Sequence, residues 1–290
     1  MPFDALRSSS QAPGMSAPVG IFDSGLGGLS VLRAVRAALP DERLIYVADS
    51  LYAPYGERDD DFIADRTLAI GEWLVSQGAK ALVVACNTAT AQSIAQARER
   101  LPIPMIGVEP GIKPAALMSQ TRVVGVLATA VTLRSARFQA LAERHADDCR
   151  FILQPGHGLV QAVERCDTDS PELIALLRRY VQPMLDANAD TLVLGCTHYP
   201  FLDKAIRSIA GDRLALIDTS VAIARQLERQ LELHGMRAAP AQAVELPRFC
   251  STNDGKAQRQ LAASLLGLDV EVEHVVIPSR RARALESDPV

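Results

Sequence analysis

Two short stretches hold the residues best suited to chemistry: ALVVACNTAT at 81–90 and TLVLGCTHYP at 191–200. Each places a cysteine where an apolar strand should end and a helix begin. Asn87 and Thr88 follow Cys86, and Thr197 and His198 follow Cys196. The amide dipoles at a helix N-terminus stabilise a thiolate and lower its pKa from about 8.5 toward neutrality. Such a thiol can serve as nucleophile, base or acid near pH 7. His198 stands close enough in sequence to tune Cys196, and the neighbouring amide and hydroxyls can hold a polar substrate. A free cysteine is more often a small buried hydrophobe, and Cys149, Cys166 and Cys250 are read that way.

Other chemistries find less support. The five cysteines are odd in number, widely spaced and without a CxxC pair, which argues against a disulfide framework and a tetrahedral zinc site. No metal site is expected, since Cys196 and His198 have no second ligand-spaced pair to join them. The four lysines (Lys80, Lys113, Lys204, Lys256) lie in no phosphate-binding context, so a pyridoxal Schiff base is not expected, and no cofactor is. With 30 Lys and Arg against 34 Asp and Glu, the net charge is −4, which gives no electrostatic case for nucleic acid or an anionic membrane. No apolar run approaches the ~20 residues of a membrane span. Residues 1–16 lack a signal-peptide apolar block and are read as a disordered extension, and residues 281–290, next to Arg280 and including Arg281 and Arg283, as a solvated tail. A cytoplasmic protein is expected.

The elements that must position the cysteines follow from hydrophobic patterning. Continuous apolar runs at 18–22, 43–48, 81–85, 105–108, 122–127, 191–195 and 214–217 lack alternation, as strands do when helices cover both faces of a parallel sheet. Helix-period segments separate them. The clearest begins at Ser170-Pro171 and carries Leu173, Leu177, Tyr180, Val181 and Met184 on one stripe. The expected fold is α/β: two similar α/β lobes with mainly parallel sheets and the active site in the cleft between them. The Pro- and Gly-rich GVEPGIKPAA (107–116) reads as a crossover, and a return near 220 would bring the last elements back. This predicts a first lobe from 17–110 plus 220–280 and a second from 111–219.

In parallel sheets, ligands bind at the carboxyl ends of the strands. Those ends supply Asp23, Ser24, Gly25, Gly27 and Gly28; Asp49, Ser50, Tyr55 and Gly56; Cys86, Asn87 and Thr88; Glu109; Thr129; and Cys196, Thr197 and His198. The DSGLGG loop matches neither GxGxxG nor GxxxxGK[ST], so dinucleotide binding fails, although its amides could still receive an anion such as a carboxylate. The glycines could equally serve a tight turn, and Asp23 and Ser24 could be helix caps. Two acid–base groups of one kind, one per lobe, suit a nearly symmetric reaction: inversion of a carbon centre. One thiolate removes a proton from one face while a thiol on the other face returns one. Hydrogen-bond donors around the substrate carboxylate and exclusion of water would stabilise the carbanion-like state.

Five motifs, FDSGLGGLSVL, ADSLYAPYG, VACNTAT, GVEPGIKPA and GCTHYP, together resemble the bacterial glutamate racemases in order and spacing, over roughly residues 18–275. The related aspartate racemases usually carry an acidic residue after the second Cys-Thr, where His198 stands here. The resemblance implies cofactor-independent interconversion of L- and D-glutamate, the latter for peptidoglycan, in a homodimer. It implies Cys86 on the D-glutamate face and Cys196 on the L-glutamate face, with Asp23 adjusting protonation near Cys86 and His198 near Cys196. Substrate contacts would come from Asp23, Ser24, Tyr55, Gly56, Asn87, Thr88, Thr129, Thr132, Thr197 and His198. Many members carry an acidic residue that assists the second cysteine; here Gln161 is expected at that place, with Glu164 one turn later, which leaves the partner of His198 open. Two alternatives stand: a racemase for aspartate or another acidic amino acid, and a non-catalytic two-lobed small-molecule binding protein.

Overall fold

The computed structural model describes residues 14–240 and 245–279; residues 1–13 and the arginine-rich tail lie outside the described residues. The chain opens with β1 (Val19–Asp23), α1 (Leu29–Ala38), β2 (Leu44–Ala48), α2 (Asp60–Ser76), β3 (Ala81–Val84), α3 (Asn87–Arg100) and β4 (Met105–Gly107). There follow α4 (Ile112–Met118), β5 (Val123–Ala128), α5 (Ala130–Arg134), α6 (Ala136–Glu143), β6 (Arg150–Pro155), α7 (Leu159–Glu164), α8 (Pro171–Asp186), β7 (Thr191–Gly195), α9 (Asp203–Ala210) and β8 (Ala215–Ile217). The last elements are α10 (Ser220–Leu233), β9 (Arg248–Ser251), α11 (Lys256–Leu266) and β10 (Val272–His274).

The strands form two sheets, ordered β10-β9-β2-β1-β3-β4 and β6-β5-β7-β8, with every pairing parallel. The order β2-β1-β3-β4 recurs as β6-β5-β7-β8. Each lobe therefore has its topological switch point beside its first strand, where side loops diverge and leave a crevice. One crevice is framed by the ends of β1 and β3, the other by the ends of β5 and β7. Cys86 follows the first pair and Cys196 the second.

Buried clusters cover both faces of each sheet, which is why β1, β2, β3 and β7 read as unbroken apolar runs. On α8 the predicted stripe buries Leu173, Leu177, Val181 and Met184, with Tyr180 partly buried, and Ser170 Oγ caps the helix by accepting from the Leu173 amide at 3.2 Å. Helix α10 leaves β8 and buries Ile223, Ala224, Leu227 and Leu231 in the cluster that also holds Val31, Leu32 and Val35 of α1. Each of the larger aliphatic side chains contributes about 1.5–3 kcal/mol by leaving water.

Strands β6 and β9 were not among the apolar runs. β6 is an edge strand whose residues are half-buried or exposed, so Arg150 and Gln154 break its pattern. β9 is short and mixes an exposed Arg248 with buried Phe249, Cys250 and Ser251, so it carries no continuous apolar run. In the extension read as disordered, the Met15 carbonyl accepts a hydrogen bond from the buried Lys80 at 2.5 Å.

Candidate active site

The loop after β1 folds around Asp23. Its carboxylate, fully buried, accepts from the Gly28 amide at 2.9 Å and the Gly25 amide at 3.2 Å. The Leu26 amide is taken by Glu164 Oε1 at 2.6 Å. The glycine-rich loop is thus an anion cradle, as its composition allows, but the anions it holds are the protein's own carboxylates. Burial pushes the Asp23 pKa up, against the opposing pull of His198 and the Gly28 amide.

Cys86 is the N-cap of α3, and its sulfur accepts from the Ala89 amide at 3.5 Å and donates to Ser24 Oγ at 3.4 Å. The helix N-terminus was expected to lower the thiol pKa. Instead burial, reinforced by Asp23, holds it far above the ordinary thiol value, and the Ser24 and Ala89 contacts recover only part of the shift. Desolvation wins because a 4% exposed thiol has lost nearly all its water, whereas one helix terminus contributes only about 0.3–1 kcal/mol. Charge on Cys196 raises it slightly further.

Cys196 follows β7, but a 3₁₀ turn (Tyr199–Leu202) intervenes before α9, so the second thiol does not cap an α-helix as the first does. Its sulfur lies 3.6 Å from His198 Nδ1, and His198 Nε2 lies 2.5 Å from Glu164 Oε1. The Gly27 amide also approaches Nε2, at 3.3 Å, but the carboxylate is nearer and accepts the hydrogen bond from that nitrogen. Burial opposes charge on the imidazole, yet Cys196 and Glu164 outweigh it and hold the His198 pKa well above its usual value. The acidic partner of His198 is therefore Glu164, at the end of α7, while Gln161, the residue expected at that place, donates to Glu57 instead. Sequence offered one signal for this: Glu164 lies one helical turn beyond Gln161.

Other candidates gather around the thiols. Thr197 Oγ1 reaches Asp23 Oδ1 at 3.5 Å, and Ser30 Oγ donates to the Thr197 carbonyl at 3.2 Å, so the strand ends of both sheets interlock. Thr88 Oγ1 lies 3.0 Å from Thr129 Oγ1 and 3.5 Å from Thr132 Oγ1, and Thr129 donates to Thr132 at 2.9 Å. Asn87 is buried, and its Nδ2 has no partner among the described residues. Gly56 lies against Thr129, where an added Cβ would come within 3.1 Å of the threonine Cβ. The Tyr55 hydroxyl is committed to Asp49 Oδ2 at 2.5 Å, so Tyr55 has only its backbone left to offer a substrate. Glu109 pairs with Arg137.

Among the described residues no group of three or more His, Cys, Asp or Glu is placed to hold a metal ion, and no helix is long and apolar enough to cross a membrane. The arrangement offers two buried thiols, Cys196 beside a carboxylate-supported histidine and Cys86 under the influence of Asp23, together with a cluster of threonine hydroxyls and an unpaired amide next to Cys86 in sequence.

The model of the Asp/Glu/Hydantoin racemase family matches residues 29–227. The chain belongs to this family. The racemase is 61% identical over 251 residues to the glutamate racemase of Ralstonia pickettii (strain 12J), covering 87% of this chain and 88% of that protein. It superposes on the crystal structure of Escherichia coli glutamate racemase in complex with L-glutamate and the activator UDP-MurNAc-ala with a TM-score of 0.80 at 32% identity, covering 91% of this chain and 100% of that one. A Bacillus anthracis glutamate racemase isoform gives a TM-score of 0.81 at 29% identity, over 91% of this chain and 99% of the other. The racemase is an isomerase of amino acids, built on two parallel sheets as its patterning implied.

Proposed function

We propose that this racemase interconverts L- and D-glutamate without a cofactor, by transfer of the α-proton between two thiols. The observation that supports this best is the placement of Cys86 and Cys196 after corresponding strands, β3 and β7, of two sheets that share a four-strand order. Cys86 serves the D-glutamate face and Cys196 the L-glutamate face. A thiol pKa raised by burial makes Cys86 a strong base once it is ionised, and the substrate's α-ammonium, entering beside it, supplies the counter-charge that lowers the cost of ionisation. Asp23 exchanges a proton near Cys86. His198, oriented by Glu164, does so near Cys196.

Ser24, Thr197 and the carboxylate-binding groups hold the substrate between the thiols. The unpaired Asn87 amide, the Thr88–Thr129–Thr132 hydroxyls and the backbone of Tyr55 and Gly56 donate to it. A buried donor left unpaired costs about 1–3 kcal/mol, which a bound carboxylate would relieve. Such donors stabilise the developing negative charge in a site closed to water. One lobe comprises residues 17–110 and 220–280 and the other 111–219, so a shift of one lobe against the other would open the cleft. The reading includes a cytoplasmic homodimer that supplies D-glutamate for peptidoglycan.

The test is incubation of the purified, cofactor-free protein with L-glutamate in deuterated water. Loss of optical rotation with deuterium at the α-carbon of the new D-glutamate is the expected result. Folded protein that gives neither would overturn the assignment, and the same assay with L-aspartate would then separate a different acidic substrate from a binding protein.

A further inference from the structure

Arg66, on α2, has the largest volume among the described side chains that are fully buried, and no step above uses it. Its Nε and Nη2 donate to the two oxygens of Asp49 at 2.9 and 2.7 Å, and Nη1 donates to the Ile277 carbonyl at 2.5 Å. The guanidinium also lies over the Tyr52 ring, 4.5 Å from its centroid. A buried ion pair stabilises a fold no better than well-packed apolar side chains of the same volume. What a bidentate arginine does supply is a fixed orientation for its carboxylate.

That orientation is passed on. Asp49 directly follows β2, and the oxygen held by Arg66 Nε also accepts the Tyr55 hydroxyl at 2.5 Å. Tyr55 opens the short turn that presents its own backbone and that of Gly56 to Thr129 of the other lobe. On the far side, the segment after β10 is pinned by the Val275 amide, which donates to the Ser251 carbonyl at 2.8 Å. Val275 and Ile277 are buried in the same apolar cluster as Tyr55 and Cys86.

We propose that Arg66 is a positioning residue for substrate binding: through Asp49 and the Tyr55 hydroxyl it sets the Tyr55–Gly56 backbone against Thr129, with the Ile277 carbonyl completing its coordination. The segment at 275–277 is then part of the apparatus that holds the substrate, although it touches no reacting atom. This rests on the reading that Tyr55 and Gly56 contact glutamate.

The test compares the full-length parent with Arg66→Lys, which keeps the charge but loses the fork, and with Tyr55→Phe, which removes one link of the same chain. L- and D-glutamate have equal free energy, so kcat/KM must fall by one factor in both directions, which checks the data internally. Arg66→Lys is expected to raise KM for both enantiomers about tenfold, the equivalent of ~1.4 kcal/mol, with a much smaller change in kcat. Tyr55→Phe should raise KM in the same sense, and the double variant should fall short of the product of the two effects. A purely structural role would lower the folded fraction, and so apparent kcat, at constant KM. An unchanged KM in Arg66→Lys, or effects that multiply independently, overturns the proposal while parent turnover leaves the glutamate reading intact. A parent that does not racemise glutamate overturns both. Should Arg66→Lys fail to fold, the KM of Tyr55→Phe decides alone.

Discussion

Glu164 and His198 meet at 2.5 Å, and the carboxylate oxygen that binds the imidazole also accepts the Leu26 amide, in the loop after β1, at 2.6 Å. One oxygen atom thus orients the histidine beside Cys196 and ties it to the glycine-rich loop after β1.

Glu164→Gln should therefore move the alkaline limb of the pH–rate profile to lower pH. The His198 pKa is raised despite burial, by Cys196 and Glu164. Replacing the carboxylate by a neutral amide removes the negative charge that favours the imidazolium, while an amide oxygen can still accept the Nε2 hydrogen bond. A raised histidine pKa also contributes stability that is fully present below the unfolded value of about 6.5 and is lost as pH rises through the folded value. The melting temperature of the parent should accordingly exceed that of the variant most between about pH 5 and 6.5, and less at alkaline pH. A gap that widens toward alkaline pH would contradict this.

Gly27→Ala should lower kcat/KM about 100-fold, the cost of misplacing a reacting group by about 1 Å. A Cβ there would stand 2.3 Å from His198 Nδ1 and 2.6 Å from Thr197 Oγ1. Gly25→Ala would put a Cβ 2.0 Å from Glu164 Oε1 and should act in the same direction. Neither glycine has a positive φ, so backbone strain is not the cause. Steady-state kinetics in both directions, with circular dichroism to confirm folding, checks the pair.

Cys86→Ser and Cys196→Ser should each reduce racemisation by about 10²–10⁴-fold or more, the usual contribution of a positioned acid or base. Both side chains are nearly isosteric with the original, so the melting temperature should change little. A variant that keeps turnover would show that its thiol carries no proton.

Alkylation of Cys86 by iodoacetamide, followed by mass spectrometry, should have a midpoint well above the ordinary thiol value. Burial and then Asp23 raise that pKa. Asp23→Asn removes the second cause and should shift the midpoint to lower pH, with burial still holding it above that of a free thiol. A shift to higher pH would reverse the sign argued here.

Much of this was legible in the residues. The unbroken apolar runs located β1 to β5, β7 and β8, because a strand covered on both faces reports its burial in its own composition. The thiols were legible because a polar, reactive side chain directly after such a run stands at the end of a sheet where ligands bind. The edge strand β6 was not, since half-exposed positions such as Arg150 and Gln154 obey no apolar pattern.

The sequence by itself determined the α/β class, the two thiols and the hydroxyl and amide groups near them. Only the tertiary structure decided that one four-strand order recurs in the two sheets, that Glu164 rather than Gln161 supports His198, and that the glycine-rich loop binds Asp23 and Glu164. It also decided that the Cys86 thiol is raised rather than lowered. The reason is physical. Periodicity records the burial of one segment along its own length, whereas hydrogen-bond partners and pKa values depend on groups that distant segments bring within a few ångströms, and on the water those groups exclude.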